Sequence, residues 1–182
     1  MTATLVLGGA RSGKSAHAER IAMESGRDVV YIATARAGDG EMGQRIAHHR
    51  ERRPAHWLTV EEPLMLAAAI EQHSKPGNVI LIDCLTLWLS NLLFSDGRDY
   101  PYAGTAELPP LLHAQRQALL DLLPHARGNI VLVSNEVGMG IVPMGAVSRL
   151  FTDEAGRLNQ AVAAACERAV FIAAGLPLVL KG

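Results

Sequence analysis

Short apolar runs rich in β-branched residues recur along the chain, separated by longer stretches whose apolar positions return every three or four residues. The runs cover 4–7, 29–33, 79–83, 130–134, 170–173 and 178–180. Several are apolar at consecutive positions, as strands of a parallel sheet covered on both faces are. The longer stretches, 14–24, 41–52, 64–73, 85–94, 108–123 and 147–167, read as helices. Alternation of this kind predicts an α/β fold with a mostly parallel central sheet and helices on both faces. Residues 95–105 (SDGRDYPYAGT) are polar and broken by Gly and Pro, so a surface loop is expected there. No repeat, low-complexity tract or long linker divides 1–182, and a single domain is expected.

Composition narrows the class without changing it. Apolar residues make up 49% of the 182 and charged ones 19%, which is a globular balance. A formal net charge of −1 offers no basic excess for nucleic acid or an anionic membrane surface. Cys84 and Cys166 lie far apart and form no CxxC pair, so a metal or redox motif is not expected. Cys84, inside an apolar run, is expected to be a small buried side chain. The chain runs directly into its first strand-like segment without a signal-peptide pattern, and no apolar run reaches the ~18 residues that span a bilayer. A cytoplasmic location is expected.

Residues 8–15 read Gly8, Gly9, Ala10, Arg11, Ser12, Gly13, Lys14 and Ser15, the spacing G-x-x-x-x-G-K-[ST] of a phosphate-binding loop. An apolar strand segment precedes it and a helix-forming segment follows, which is the context the chemistry requires. Glycines let backbone N–H groups turn toward phosphate oxygens, and the helix N-terminus adds the positive end of its dipole. Lys14 is expected to reach the β- and γ-phosphates, and the Ser15 hydroxyl to ligate Mg²⁺. Asp83 closes the run Val79-Ile80-Leu81-Ile82, the position of a carboxylate that holds Mg²⁺ through water. Its other reading is an N-cap for the helix that follows.

The segment 41–54 carries a second candidate. On a helix, Met42, Ile46, His49 and Arg53 share one face, and Glu41, Arg45, His48 and Arg52 share its neighbour. His49 then points inward with the apolar stripe, and Pro54 is a stop signal. Arginines nearby disfavour a second cation and keep an imidazole neutral, the form that acts as a nucleophile, while they hold phosphate oxygens. A basic, solvated helix with one partly buried histidine accounts for the same spacing.

Several segments together resemble one family: GGARSGKS at 8–15, YIATAR at 31–36, HHRERRPAHWLTVEEP at 48–63, SNEVGMGIVP at 134–143 and AGRLNQ at 155–160. They are similar to the bifunctional adenosylcobinamide kinase and adenosylcobinamide-phosphate guanylyltransferase of cobalamin biosynthesis. Only 95–123 carries no matching motif. The resemblance implies a RecA-like P-loop fold in a homo-oligomer, a trimer. It implies phosphorylation of adenosylcobinamide by ATP or GTP, then transfer of GMP from GTP to adenosylcobinamide phosphate through a guanylylated histidine, His49. It further implies nucleotide contacts at 8–15, at Thr34, Ala35 and Arg36, at Arg50, Glu51, Arg52 and Arg53, and at Glu61 and Asp83.

Other residues divide more simply. Glu61 or Glu62 suits a guanosine ribose or base, or else starts the helix that follows. Asn135 and Glu136 end a strand on the ligand-binding edge of such folds, where they touch substrate or order the glycine-rich loop beyond. Trp57 and Trp88 are expected in the core. His17, His73, His113 and His125 are expected at the surface or at helix ends. Two other functions fit the phosphate loop alone: a kinase of a different small metabolite with a structural His49, and a nucleotide-binding module without catalysis.

Overall fold

The computed structural model describes residues 2–35, 54–104 and 106–182. Seven strands form one sheet: β1 (Ala3–Gly8), β2 (Asp28–Ala33), β3 (Leu58–Glu61), β4 (Asn78–Asp83), β5 (Asn129–Asn135), β6 (Arg168–Ala173) and β7 (Leu176–Lys181). Their order is β3-β2-β4-β5-β1-β6-β7, and every neighbouring pair is parallel except β6–β7. Among the described residues, five α-helices accompany them: α1 (Lys14–Glu24), α2 (Leu66–His73), α3 (Leu85–Leu93), α4 (Pro110–Leu122) and α5 (Ala146–Ala165).

The two-residue period of the strands divides the core. Leu5, Leu7, Ile32, Ile80, Ile82, Ile130 and Leu132 face one way, under α2, α3, α4 and α5. Val6, Val29, Tyr31, Leu81, Val131, Val133 and Ile172 face the other, where Ala18 and Ala22 of α1 and Trp57 cover them. Burial of one such Leu or Ile side chain contributes about 1.5–3 kcal/mol. Trp88 is fully buried, and its indole N–H donates to the Leu64 carbonyl at 2.8 Å, so its one polar atom is satisfied. Trp57 and Cys84 are buried as expected.

The expected strands all form, and the last extends to Leu176–Lys181. One strand escaped the sequence pattern: β3 is only four residues long, lies at a sheet edge and buries none of them. The helix expected from 64 begins at Leu66, because Glu62 takes the N–H groups of Leu64 and Met65 on its carboxylate. The helix expected from 108 begins at Pro110, where the ring suits a first helical turn. The helix expected over 41–52 lies outside the described residues. Residues 95–104 form turns and irregular backbone.

α5 is held at its C-terminal end and near its middle. Lys181 donates to the carbonyls of Ala163, Ala164 and Cys166, where the negative end of the helix dipole favours a cation. Near mid-helix, Glu154 is 2% exposed and lies between Arg116, at 2.7 Å, and Arg157, so the buried carboxylate is paired.

Both thiols are free and buried. Burial, then the neighbouring Asp83 carboxylate, pushes the Cys84 thiol up to about 11; burial, then Glu167, pushes Cys166 up to about 12. The folded chain therefore keeps both protons as the pH rises above the ordinary thiol value, whereas the unfolded chain releases them. Stability from this source is complete below pH 9 and is lost between roughly pH 9 and 12. Neither thiol should react with a disulfide reagent at pH 8 until denaturant is added. The fall of unfolding free energy across that alkaline window should be shallower in Cys166→Ala.

Candidate active site

Parallel pairing collects the carboxyl ends of six strands along one edge. Gly8 pairs with Asn135 and with Ile172, and Ala33 pairs with both Asp83 and Glu61. The phosphate-loop sequence occupies the centre of that edge, between the end of β1 and the start of α1. Arg11 has φ 56° and Gly13 φ 95°, so the chain makes two left-handed turns before the helix begins. Gly13 is the N-cap of α1 and has no side chain to cap it. The first intrahelical bond runs from His17 N–H to the Gly13 carbonyl, at 2.9 Å. By helix geometry the N–H groups of Lys14, Ser15 and Ala16 have no partner within α1. That uncapped end, with its dipole, is an anion cradle.

The cradle is braced from below. Ser12 N–H donates to the Gly9 carbonyl at 3.2 Å, and Gly175 N–H donates to the Ser12 carbonyl at 2.8 Å. Lys14 is 9% exposed, and its ammonium donates to the Gly9 carbonyl at 3.2 Å, bent back over the loop. Ser12 Oγ is buried without a hydrogen-bond partner among the described residues. A hydroxyl left so costs about 1–3 kcal/mol, a concession more common at functional loops than elsewhere. Gly8 has no room for a side chain: a Cβ there would meet Ser12 Oγ and lie 2.7 Å from the Ile172 carbonyl oxygen.

Beside the cradle, the ends of β2, β4 and β5 are joined by buried polar groups. Asp83 accepts from the Tyr31 hydroxyl at 3.1 Å, and α3 starts two residues later, with Cys84 at its N-cap and no side-chain cap. Asp83 is thus not the helix cap, and it stands at the strand end as a metal-binding carboxylate would. The Thr34 hydroxyl accepts from Cys84 N–H at 2.9 Å and donates to the Cys84 carbonyl at 2.8 Å, across an Asp83–Cys84 peptide bond that is cis. Asn91 donates to the carbonyls of Thr34, at 2.7 Å, and Pro63, at 3.1 Å. On the next strand, the Asn135 side chain donates to Thr86 Oγ1 at 2.7 Å. Its own carbonyl accepts from Asn159 at 3.2 Å, and Asn159 in turn accepts from Ser134 at 2.6 Å.

The structure therefore brings Gly8, Gly9, Ala10, Arg11, Ser12, Gly13, Lys14, Ser15, Thr34, Ala35, Glu61 and Asp83 to one edge. Arg36, His49, Arg50, Glu51, Arg52 and Arg53 lie outside the described residues. Of the two glutamates, Glu62 is spent on the backbone before α2, and Glu61 is exposed at the end of β3. Ser15 and Asp83 supply the hard oxygen donors that suit Mg²⁺, which takes few protein ligands and completes its shell with phosphate and water. No cluster of three or more His, Cys, Asp or Glu suited to a metal occurs among the described residues. Tyr31, Thr86 and Asn91 were not singled out by sequence reasoning. Asn91 had one signal, a lone amide in the apolar run LTLWLSNLLF.

The cobinamide kinase / cobinamide phosphate guanyltransferase family matches residues 4–180. The chain belongs to that family. The bifunctional adenosylcobalamin biosynthesis protein CobP of Pseudomonas aeruginosa is 57% identical over 178 residues, covering 98% of this chain and 96% of that one. Its counterpart CobU of Escherichia coli K12 is 42% identical over 182 residues, covering 97% and 98%. Among solved structures, a type III secretion system ATPase of pathogenic bacteria superposes with a TM-score of 0.55 at 12% identity, covering 98% of this chain and 56% of that one. The RadB recombinase gives 0.50 at 14%, covering 93% and 73%. At such identities the likeness concerns the fold alone, which is a RecA-like P-loop α/β fold.

Four substitutions test the cradle and its brace. Gly8→Ala should cost about 2 kcal/mol of unfolding free energy from overpacking, whereas Gly9→Ala, whose Cβ meets nothing within 4 Å, should leave stability within about 0.5 kcal/mol. Thr34→Val removes the acceptor of the buried Cys84 N–H, while the Cys84 carbonyl keeps the Trp88 N–H at 3.1 Å, and should cost about 1–3 kcal/mol, with Thr34→Ser recovering most of it. Urea denaturation of the four variants and the wild type measures each.

Proposed function

We propose that this chain performs both reactions named in its family: it phosphorylates the hydroxyl of adenosylcobinamide, then joins GMP to the resulting phosphate. The observation that carries the proposal is an uncapped P-loop helix end on the same strand edge as Asp83, in a chain whose family match is nearly full length. In the first reaction the substrate hydroxyl oxygen bonds to the γ-phosphorus of ATP or GTP. The bond from that phosphorus to the β–γ bridging oxygen breaks, the hydroxyl proton departs, and a nucleoside diphosphate leaves. In the second, a nitrogen of His49 bonds to the α-phosphorus of GTP and pyrophosphate leaves. The phosphate oxygen of adenosylcobinamide phosphate then displaces the histidine, giving adenosyl-GDP-cobinamide.

The α1 N–H groups and Lys14 stabilise charge that accumulates on the leaving phosphates in both reactions. Arg50, Arg52 and Arg53 follow His49 closely enough in sequence to neutralise phosphate oxygens while it attacks. Ser15 and Asp83 would hold Mg²⁺, which would supply charge neutralisation at the phosphates. Glu61 ends the strand paired with β2, where a carboxylate can accept from guanosine hydroxyl or N–H groups. A homotrimer, which the family resemblance implies, is supported by β7, whose six residues are all exposed, with Leu176, Leu178, Val179 and Leu180 among them. No helix among the described residues is long and apolar enough to cross a membrane.

Incubation with α-labelled GTP and Mg²⁺, without any corrinoid, tests the covalent step. Acid-labile label should remain on the protein and be absent from His49→Ala. Kinase turnover in a protein that never takes label would instead identify a kinase with a structural His49.

A further inference from the structure

The loop between β5 and α5 carries an apolar surface that no fold requirement explains. Met139, Ile141, Val142 and Met144 are 74–98% exposed, and Val137 is exposed beside them. From Val137 to Ser148 there is no charged residue. Consecutive large apolar side chains in water are uncommon on a folded surface and mark binding sites. The loop is also pinned. Glu136 accepts from Gly138 N–H at 2.6 Å, Arg149 donates to the carbonyls of Pro143, at 3.3 Å, and Met144, and Ala146 N–H donates to the Tyr102 carbonyl at 2.9 Å. An apolar surface whose ends are fastened this way loses little freedom on binding.

Its position selects the occupant. The loop leaves β5 between the phosphate-loop strand and the Asp83 strand, and Glu136 N–H donates to the Gly8 carbonyl at 3.0 Å. The loop therefore starts at the nucleotide edge itself, next to the carbonyl of the first phosphate-loop residue. The acceptor of the family's reactions is a corrinoid, a macrocycle rimmed with methyl groups and neutral amides and much larger than the hydroxyl arm that reacts. Such a ring stays outside the phosphate cradle, and an uncharged apolar shelf beside it matches its chemistry. Methionine side chains adapt to an irregular rim.

We infer that the Val137–Met144 loop, with Tyr102 at its end, is the docking shelf for the corrinoid ring of the acceptor. The inference rests on the function proposed above and adds where the acceptor sits. Val142 and Ile141 are exposed enough that Ile141→Ser/Val142→Ser should fold with an unchanged melting temperature.

Equilibrium dialysis of the coloured adenosylcobinamide against wild type and the double variant needs no turnover. The variant should bind it at least tenfold more weakly, while labelling by α-labelled GTP and the KM for nucleotide stay the same. Equal corrinoid affinity in the two proteins overturns the shelf, whatever the turnover. Loss of assembly mass in sedimentation velocity also overturns it, because the loop would then be a contact between copies. Tenfold weaker binding with no turnover by the wild type supports the shelf and refutes the proposed reactions instead.

Discussion

The position of β5 between β1 and β4 is the constraint on which the site depends. Parallel strands must all finish at the same edge, and register decides which residues finish side by side. Because Gly8 pairs with Asn135, while Asp83 pairs two residues earlier on the same strand, β5 projects between the phosphate loop and the acidic strand end. The cradle, the carboxylate and the apolar loop are placed by that one arrangement. None of them is close to the others in sequence.

Burial on both faces makes the arrangement rigid. The consecutive apolar residues that announce these strands also prevent them from slipping, since a shift of one residue would exchange the layer under four helices for the layer under α1. The polar strand ends need separate support, and they receive it from one another. Thr34 satisfies both backbone groups of Cys84, Asn91 takes the Thr34 carbonyl, and Thr86 receives Asn135. Three strand ends are thereby joined by groups that are themselves satisfied, which is the condition under which a buried polar network adds order rather than cost.

Much of this could be read from residues alone. The phosphate loop carries its own turn chemistry, and the expected strands announced themselves by apolar runs. β3 did not, because an exposed edge strand of four residues has no buried face to write a pattern. The Thr34–Cys84 and Asn135–Thr86 pairs were illegible for a different reason. Their partners lie about fifty positions apart, and only the sheet order brings them together. Glu62 could be read two ways, and the backbone of the α2 approach decided it. His49 and the arginines after it remain a reading of spacing and resemblance.

The turn between β6 and β7 has one more implication. Gly175 N–H holds the Ser12 carbonyl, and a Cβ on Gly13 would come within 3.2 Å of Gly175 Cα. The outermost, wholly exposed strand thus begins directly beneath the phosphate loop, like a lever whose short arm is a single residue. A load on β7 that shifts this turn reaches Ser12 through one hydrogen bond. Because coupling between sites is reciprocal, an anion that settles the loop would equally stiffen the edge strand.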